Sequence, residues 1–141
     1  MKTNTIKKIA TGIIVLLTST SAFGDSLQIP LFSDHYSTDE MNELNPGLIF
    51  EIDHNENVSF LAGGYKNSYD KLSLIAGVEV QYKYIGAQIG LATGYKEMTG
   101  MAISPIGTVF GQYQVVENFG IRLSAIPHKH GAIGLSFVVD Y

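Results

Sequence analysis

Leu72-Ser73-Leu74-Ile75-Ala76-Gly77-Val78-Glu79-Val80-Gln81-Tyr82 alternates without a break. Leu72, Leu74, Ala76, Val78, Val80 and Tyr82 fall on one face, and Ser73, Ile75, Gly77, Glu79 and Gln81 on the other. A period of two sustained over that length is the side-chain pattern of a β-strand. Residues 85–95 repeat it, with Ile85, Ala87, Ile89, Leu91, Thr93 and Tyr95 opposing Gly86, Gln88, Gly90, Ala92 and Gly94. Residues 133–141 repeat it again, with Ile133, Leu135, Phe137, Val139 and Tyr141 opposing Gly134, Ser136, Val138 and Asp140. Glycine inside a helix costs about 1 kcal/mol relative to alanine, so glycine at every second residue excludes the helical reading.

Working outward, the same pattern divides the chain into eight strand segments at 27–34, 46–53, 58–67, 71–82, 85–95, 103–114, 119–127 and 132–141. Most exceed the roughly 5 to 6 residues usual in soluble sheets and approach the roughly 9 to 11 that cross a bilayer. The connections alternate in character. Those at 54–57, 83–84 and 115–118 are short, whereas those at 35–45, 68–70, 96–102 and 128–131 are mostly longer, polar or glycine-containing. Short turns on one side, longer loops on the other and an even strand count predict an eight-stranded antiparallel transmembrane β-barrel. Tyr36, Tyr82, Tyr84, Tyr95, Tyr113 and Tyr141 lie near strand ends and suit two interfacial girdles. A secreted soluble barrel would alternate too, with its apolar face inward around a ligand. Against that alternative, the second face is built of Gly, Ala and Ser with few charges, as a narrow lumen requires and a wetted surface does not.

The chain has 141 residues and a formal charge of -4, with no Cys and no Trp. Residues 1–24 read as a cleaved N-terminal signal peptide: Lys2, Lys7 and Lys8, then an apolar run to Leu17, then Ala22-Phe23-Gly24 as the small-x-small cleavage pattern. Residues 25–141 form one domain, with 13 acids against 6 bases once the three signal lysines are removed. So acidic a chain cannot neutralise a row of phosphates, which argues against nucleic acid as a partner. Without Cys there are no disulfides, thiol chemistry or Cys-based metal sites.

Three stretches are similar to the lipid A palmitoyltransferase family of Gram-negative outer membranes. Leu27-Gln28-Ile29-Pro30 followed by His35 matches its L-x-I-P-x-x-x-x-H at the first strand. Asn42-Glu43-Leu44-Asn45-Pro46-Gly47 resembles its N-E-R-P-W-G with one extra residue before the proline. Gly64-Tyr65-Lys66-Asn67-Ser68-Tyr69-Asp70-Lys71, running on to Ile75-Ala76-Gly77, resembles its A-F-K-D-S-x-N-K and I-A-G. Weaker echoes follow at Ile89-Gly90-Leu91 and Ser124-Ala125-Ile126-Pro127. The resemblance implies an outer-membrane barrel, a monomer with both termini periplasmic and no cofactor, acting on phospholipid and on lipid A or lipopolysaccharide. It implies transfer or removal of an acyl chain, with His35, Ser68 and Asn67 at the outer rim as the catalytic group. A hydroxyl, a base near neutral pKa and an oxyanion donor are what acyl transfer needs. It also implies that Pro30, Pro46 and Pro127 leave gaps through which lipid enters sideways, with Pro105 a looser match.

Three features depart from the family. Asn67 stands where the family has Asp, and it can orient a neighbour but cannot act as a base. The family's amphipathic helix before the first strand is missing. Glu79 stands where the family has a glycine at the floor of its acyl pocket. By alternation Glu79 points inward, and Arg122, on the face of Gly120 and Ser124, is its expected partner. Such a pair would fill the lumen and shorten the acyl chain accepted, or exclude one. The alternative function is therefore a non-catalytic barrel that binds lipopolysaccharide or alters the cell surface. His128-Lys129-His130 has ligand-like spacing, but no acid or Cys accompanies it, and it reads as an exposed loop. Asp34, Asp39, Glu40 and Glu43 make the first long loop acidic, a solvated loop or a divalent-cation bridge to lipopolysaccharide phosphates.

Overall fold

The structure, a computed structural model, describes residues 26–36, 43–128 and 131–141. The signal-peptide segment, with Asp39, Glu40, Asn42, Lys129 and His130, lies outside the described residues. The elements are β1 (Ser26–His35), β2 (Gly47–Asp53), β3 (Val58–Lys66), β4 (Leu72–Tyr82), β5 (Ile85–Thr93), α1 (Lys96–Thr99), β6 (Ile103–Val116), β7 (Phe119–Ala125) and β8 (Ala132–Asp140). Each strand pairs antiparallel with the next, and β8 pairs with β1 to close the barrel. All eight expected strands are present. Three ends differ by two residues from the expected bounds: β6 runs on to Val116, whereas β5 stops at Thr93 and β7 at Ala125 instead of reaching Tyr95 and Pro127. The single helical turn α1 was not expected. It ends on Gly100, whose φ of 73° is a left-handed conformation open to glycine.

The alternation read from residues 72–82 holds in the burial. Leu72 is 71 % exposed and Leu74 58 %, whereas Ser73 and Ile75 between them are buried. Outward-facing Val80, Ile85, Ile89, Leu91, Ile103, Val109, Leu123 and Ile133 continue an apolar belt around the barrel. No described helix is long and apolar enough to cross a membrane. Neighbouring strands approach closely where glycines meet. Gly77 faces Gly90 across β4 and β5, and a Cβ on Gly77 would lie 2.3 Å from the Ile89 carbonyl oxygen.

The inward residues sort by height. Toward the long-loop end Ile49, Leu61, Ile75 and Ala92 form a buried apolar cluster, with Tyr65, Tyr95 and Ile106 packed against it. At mid-height the inward positions are polar or charged: Gln28, Glu51, Glu79, Gln88, Arg122 and Ser136. The barrel thus has an apolar upper storey resting on a polar layer.

Candidate functional site

Arg122, on β7, is 1 % exposed and reaches across the lumen. Its Nη1 and Nη2 donate to Glu79 Oε2 and Oε1 at 2.8 and 3.1 Å. Nη1 also donates to Glu51 Oε1 at 2.9 Å and Gln28 Oε1 at 3.1 Å. Nε and Nη2 donate to Gln112 Oε1 at 2.9 and 2.7 Å. The guanidinium lies 4.0 Å from the centroid of the Phe110 ring, within cation–π range. A buried charge is tolerated only when paired and hydrogen-bonded throughout, and the surrounding groups supply this. Gln88 Nε2 donates to Glu79 Oε2 and Gln28 Oε1, Ser26 Oγ to Glu51 Oε2, Gln28 Nε2 to Ser136 Oγ, and Thr108 Oγ1 to Gln88 Oε1.

The sequence reading paired Glu79 and Arg122 and missed Glu51. The signal was available, because Glu51 shares a strand face with Ile49 and so faces inward. Two carboxylates and one guanidinium therefore share the layer.

Above this layer lies a chamber of about 580 Å³. Ile49, Leu61, Tyr65, Ile75, Tyr95 and Ile106 are among its walls, and Gln28 and Gln88 belong to its floor. The volume falls within the roughly 300 to 1,000 Å³ usual for small-molecule sites, and apolar walls with few polar groups are their usual lining.

His35 and Ser68 both line this chamber. His35 is the last residue of β1, opposite Ala132 of β8, and its Nδ1 is buried with no hydrogen-bond partner among the described residues. Ser68 opens the turn after β3, and no hydrogen bond joins it to His35. Asn67 does not line the chamber and is fully buried. Its Oδ1 accepts from the backbone N–H groups of Tyr69 and Lys71 at 2.9 and 3.1 Å. Its Nδ2 donates to Ser73 Oγ and to the Gly94 carbonyl, both at 2.8 Å. Asn67 is thus fully engaged in holding the loop after β3 against the end of β5. A carboxylate there would turn an oxygen toward the Gly94 carbonyl, a physical reason for Asn.

The prolines mark interruptions in pairing. Pro30 sits at a register shift between β1 and β8, and β1 pairs with β2 only at Ser26, Leu27 and Gln28 before a single bridge between Phe32 and Leu44. Pro46 precedes β2, and its carbonyl accepts from Lys66 N–H. Pro127 follows the end of β7. Pro30, Pro105 and Pro127 line the chamber, and Pro46 does not. His128 also lines it, and among the described residues no group of three or more His, Cys, Asp or Glu is placed to hold a metal.

Compared with known proteins, the chain matches no family model and no curated protein.

Proposed function

We propose that the chain is an outer-membrane barrel that draws one acyl chain of an outer-leaflet lipid into its upper chamber and transfers or removes it at the rim. The observation that carries this reading is an apolar chamber reaching a strand boundary at β6 and β7 where the barrel wall is unpaired. The outward apolar belt supports immersion in lipid, because an exposed surface this continuous is costly in water. Short turns and the described ends of the chain at one end support periplasmic termini and an outward-facing rim. The resemblance to the lipid A palmitoyltransferases supplies the substrate class, phospholipid as donor and lipid A as acceptor.

In this reading Ser68 Oγ attacks the ester carbonyl as His35 takes its proton. The ester C–O bond breaks, and the lysophospholipid leaves carrying that proton from His35. A lipid A hydroxyl or water, deprotonated by His35, then takes the acyl group and frees Ser68. The two side chains must come into hydrogen-bond reach when lipid binds, as rim groups often do only in the loaded complex. Asn67 contributes by fixing the loop that carries Ser68.

Mass spectrometry of lipid A and phospholipid from cells expressing the protein tests this directly. New acylated or deacylated species are expected, and Ser68→Ala and His35→Ala should abolish them while the barrel still folds. A second reading, a barrel that binds lipopolysaccharide without chemistry, is favoured by the complete engagement of Asn67 inside the loop. Unchanged lipid profiles with lipopolysaccharide bound to the purified barrel would select it.

A further inference from the structure

The chamber floor carries more donor hydrogens than the protein supplies acceptors for. Gln28 and Ser136 both line the chamber and are 5 % and 4 % exposed. Arg122 can only donate, so the Gln28 atom that meets its Nη1 at 3.1 Å is the amide oxygen. That orients the amide and turns Gln28 Nε2 toward Ser136 Oγ, also at 3.1 Å. One Nε2 hydrogen is used there, and the other has no acceptor among the described residues. Ser136 Oγ accepts this bond, and its own hydrogen likewise has no acceptor among the described residues.

An unfilled acceptor lies beside these donors. Gln88 Nε2 donates to Glu79 Oε2 and Gln28 Oε1, which turns the Gln88 oxygen toward Thr108. Among the described residues Gln88 Oε1 accepts from Thr108 Oγ1 alone, at 3.3 Å, so one lone pair is left over. Gln88 and Thr108 line the chamber as well.

Three kinds of chain end can be compared on this floor. A methyl end would cover the spare donors and leave them unpaired, at the cost of desolvating each. A carboxylate end would meet Glu51 and Glu79 in the layer below. Arg122 has no nitrogen left to answer it, because Nε, Nη1 and Nη2 all donate already. A hydroxyl end satisfies both sides. Its oxygen accepts from Gln28 Nε2 or Ser136 Oγ, and its hydrogen goes to Gln88 Oε1.

We propose that the chamber floor is a recognition site for a neutral hydroxyl, and that the chamber takes a lipid chain hydroxylated at its buried end. That the ligand is a lipid chain rests on the function proposed above. The preference for a hydroxyl rests on the floor alone.

The purified barrel in a maltoside detergent is titrated with three single-chain phosphocholines, alike except for a methyl, hydroxyl or carboxylate chain end. Each titration is run on the wild type and on Ser136→Ala, so that partitioning into detergent, common to both proteins, cancels. The wild type should favour the hydroxyl probe over the methyl probe by roughly tenfold more than Ser136→Ala does, the scale of one or two hydrogen bonds. The carboxylate probe should show no such gain. In the wild type the Gln28 side-chain amide protons should shift in NMR spectra with the hydroxyl probe and stay put with the methyl probe. Equal preference in both proteins, with an unmoved Gln28 amide, overturns the site and assigns the spare donors to water. A gain for the carboxylate probe overturns the neutral hydroxyl as its ligand. Hydroxyl-selective binding with unchanged cellular lipid profiles upholds the site and removes the acyl chemistry. New lipid species in cells without hydroxyl selectivity keep the acyl chemistry and remove the site.

Discussion

Arg122 grips Glu79 with both terminal nitrogens, at 2.8 and 3.1 Å, from opposite sides of the barrel. Glu51 shares Nη1 at 2.9 Å, so the guanidinium has a second carboxylate to hold if Glu79 is removed.

That sharing sets an order of stabilities. Arg122→Met leaves two buried carboxylates without a counter-charge and should lower stability by about 3 to 5 kcal/mol, the range for severing a buried pair. Glu79→Gly leaves Arg122 paired with Glu51 and should lose less. Urea unfolding of the refolded barrel in detergent ranks the two, and a larger loss for Glu79→Gly would contradict the shared layer.

Glu79→Gly should also deepen the chamber. Glu79 accepts from Gln88 Nε2 at 2.7 Å and so holds part of the chamber floor. Freed of that partner, Gln88 can swing down. If the protein handles acyl chains, the variant should accept longer ones, read as a shift in product mass; unchanged chain preference would mean that the polar layer does not limit chain length.

Asn67→Asp separates a structural role from a chemical one. Its new carboxylate oxygen would face the Gly94 carbonyl, where Nδ2 now donates at 2.8 Å. The expected loss is about 1 to 3 kcal/mol for a buried group deprived of its partner, with no gain in lipid modification. A more active variant of unchanged melting temperature would mean that position 67 belongs to the chemistry.

Val109 tests immersion in lipid. It faces outward near the middle of β6, half-exposed. At a bilayer midplane Val109→Arg should cost about 2 to 4 kcal/mol, whereas an ordinary wetted position would change by roughly 0.5 kcal/mol or less. Unfolding in phospholipid vesicles distinguishes the two values.

Strand phase was legible in residues 72–82 because alternation is a property of the extended backbone itself: successive side chains point to opposite faces whatever the strand packs against. The same rule turned Glu79 and Arg122 inward, and narrow-lumen chemistry named them as partners. It also carried His35 and Ser68 to the long-loop end, since strand count alone decides which end each loop occupies. The rest depended on closure. Arg122 meets Glu79 across 43 residues of sequence and Glu51 across 71, and only the register of the intervening strands brings those positions to one height. The resemblance places Asn67 at the rim beside Ser68, and only the folded loop decides that the Asn67 side chain is buried while Ser68 lines the chamber. The stretch of β6 at 103–108 without a β7 partner arises because β6 outruns β7. Alternation says which way a side chain points, and says nothing of how far its neighbouring strand extends; that length is settled where the chain finds its partners, in the folded barrel.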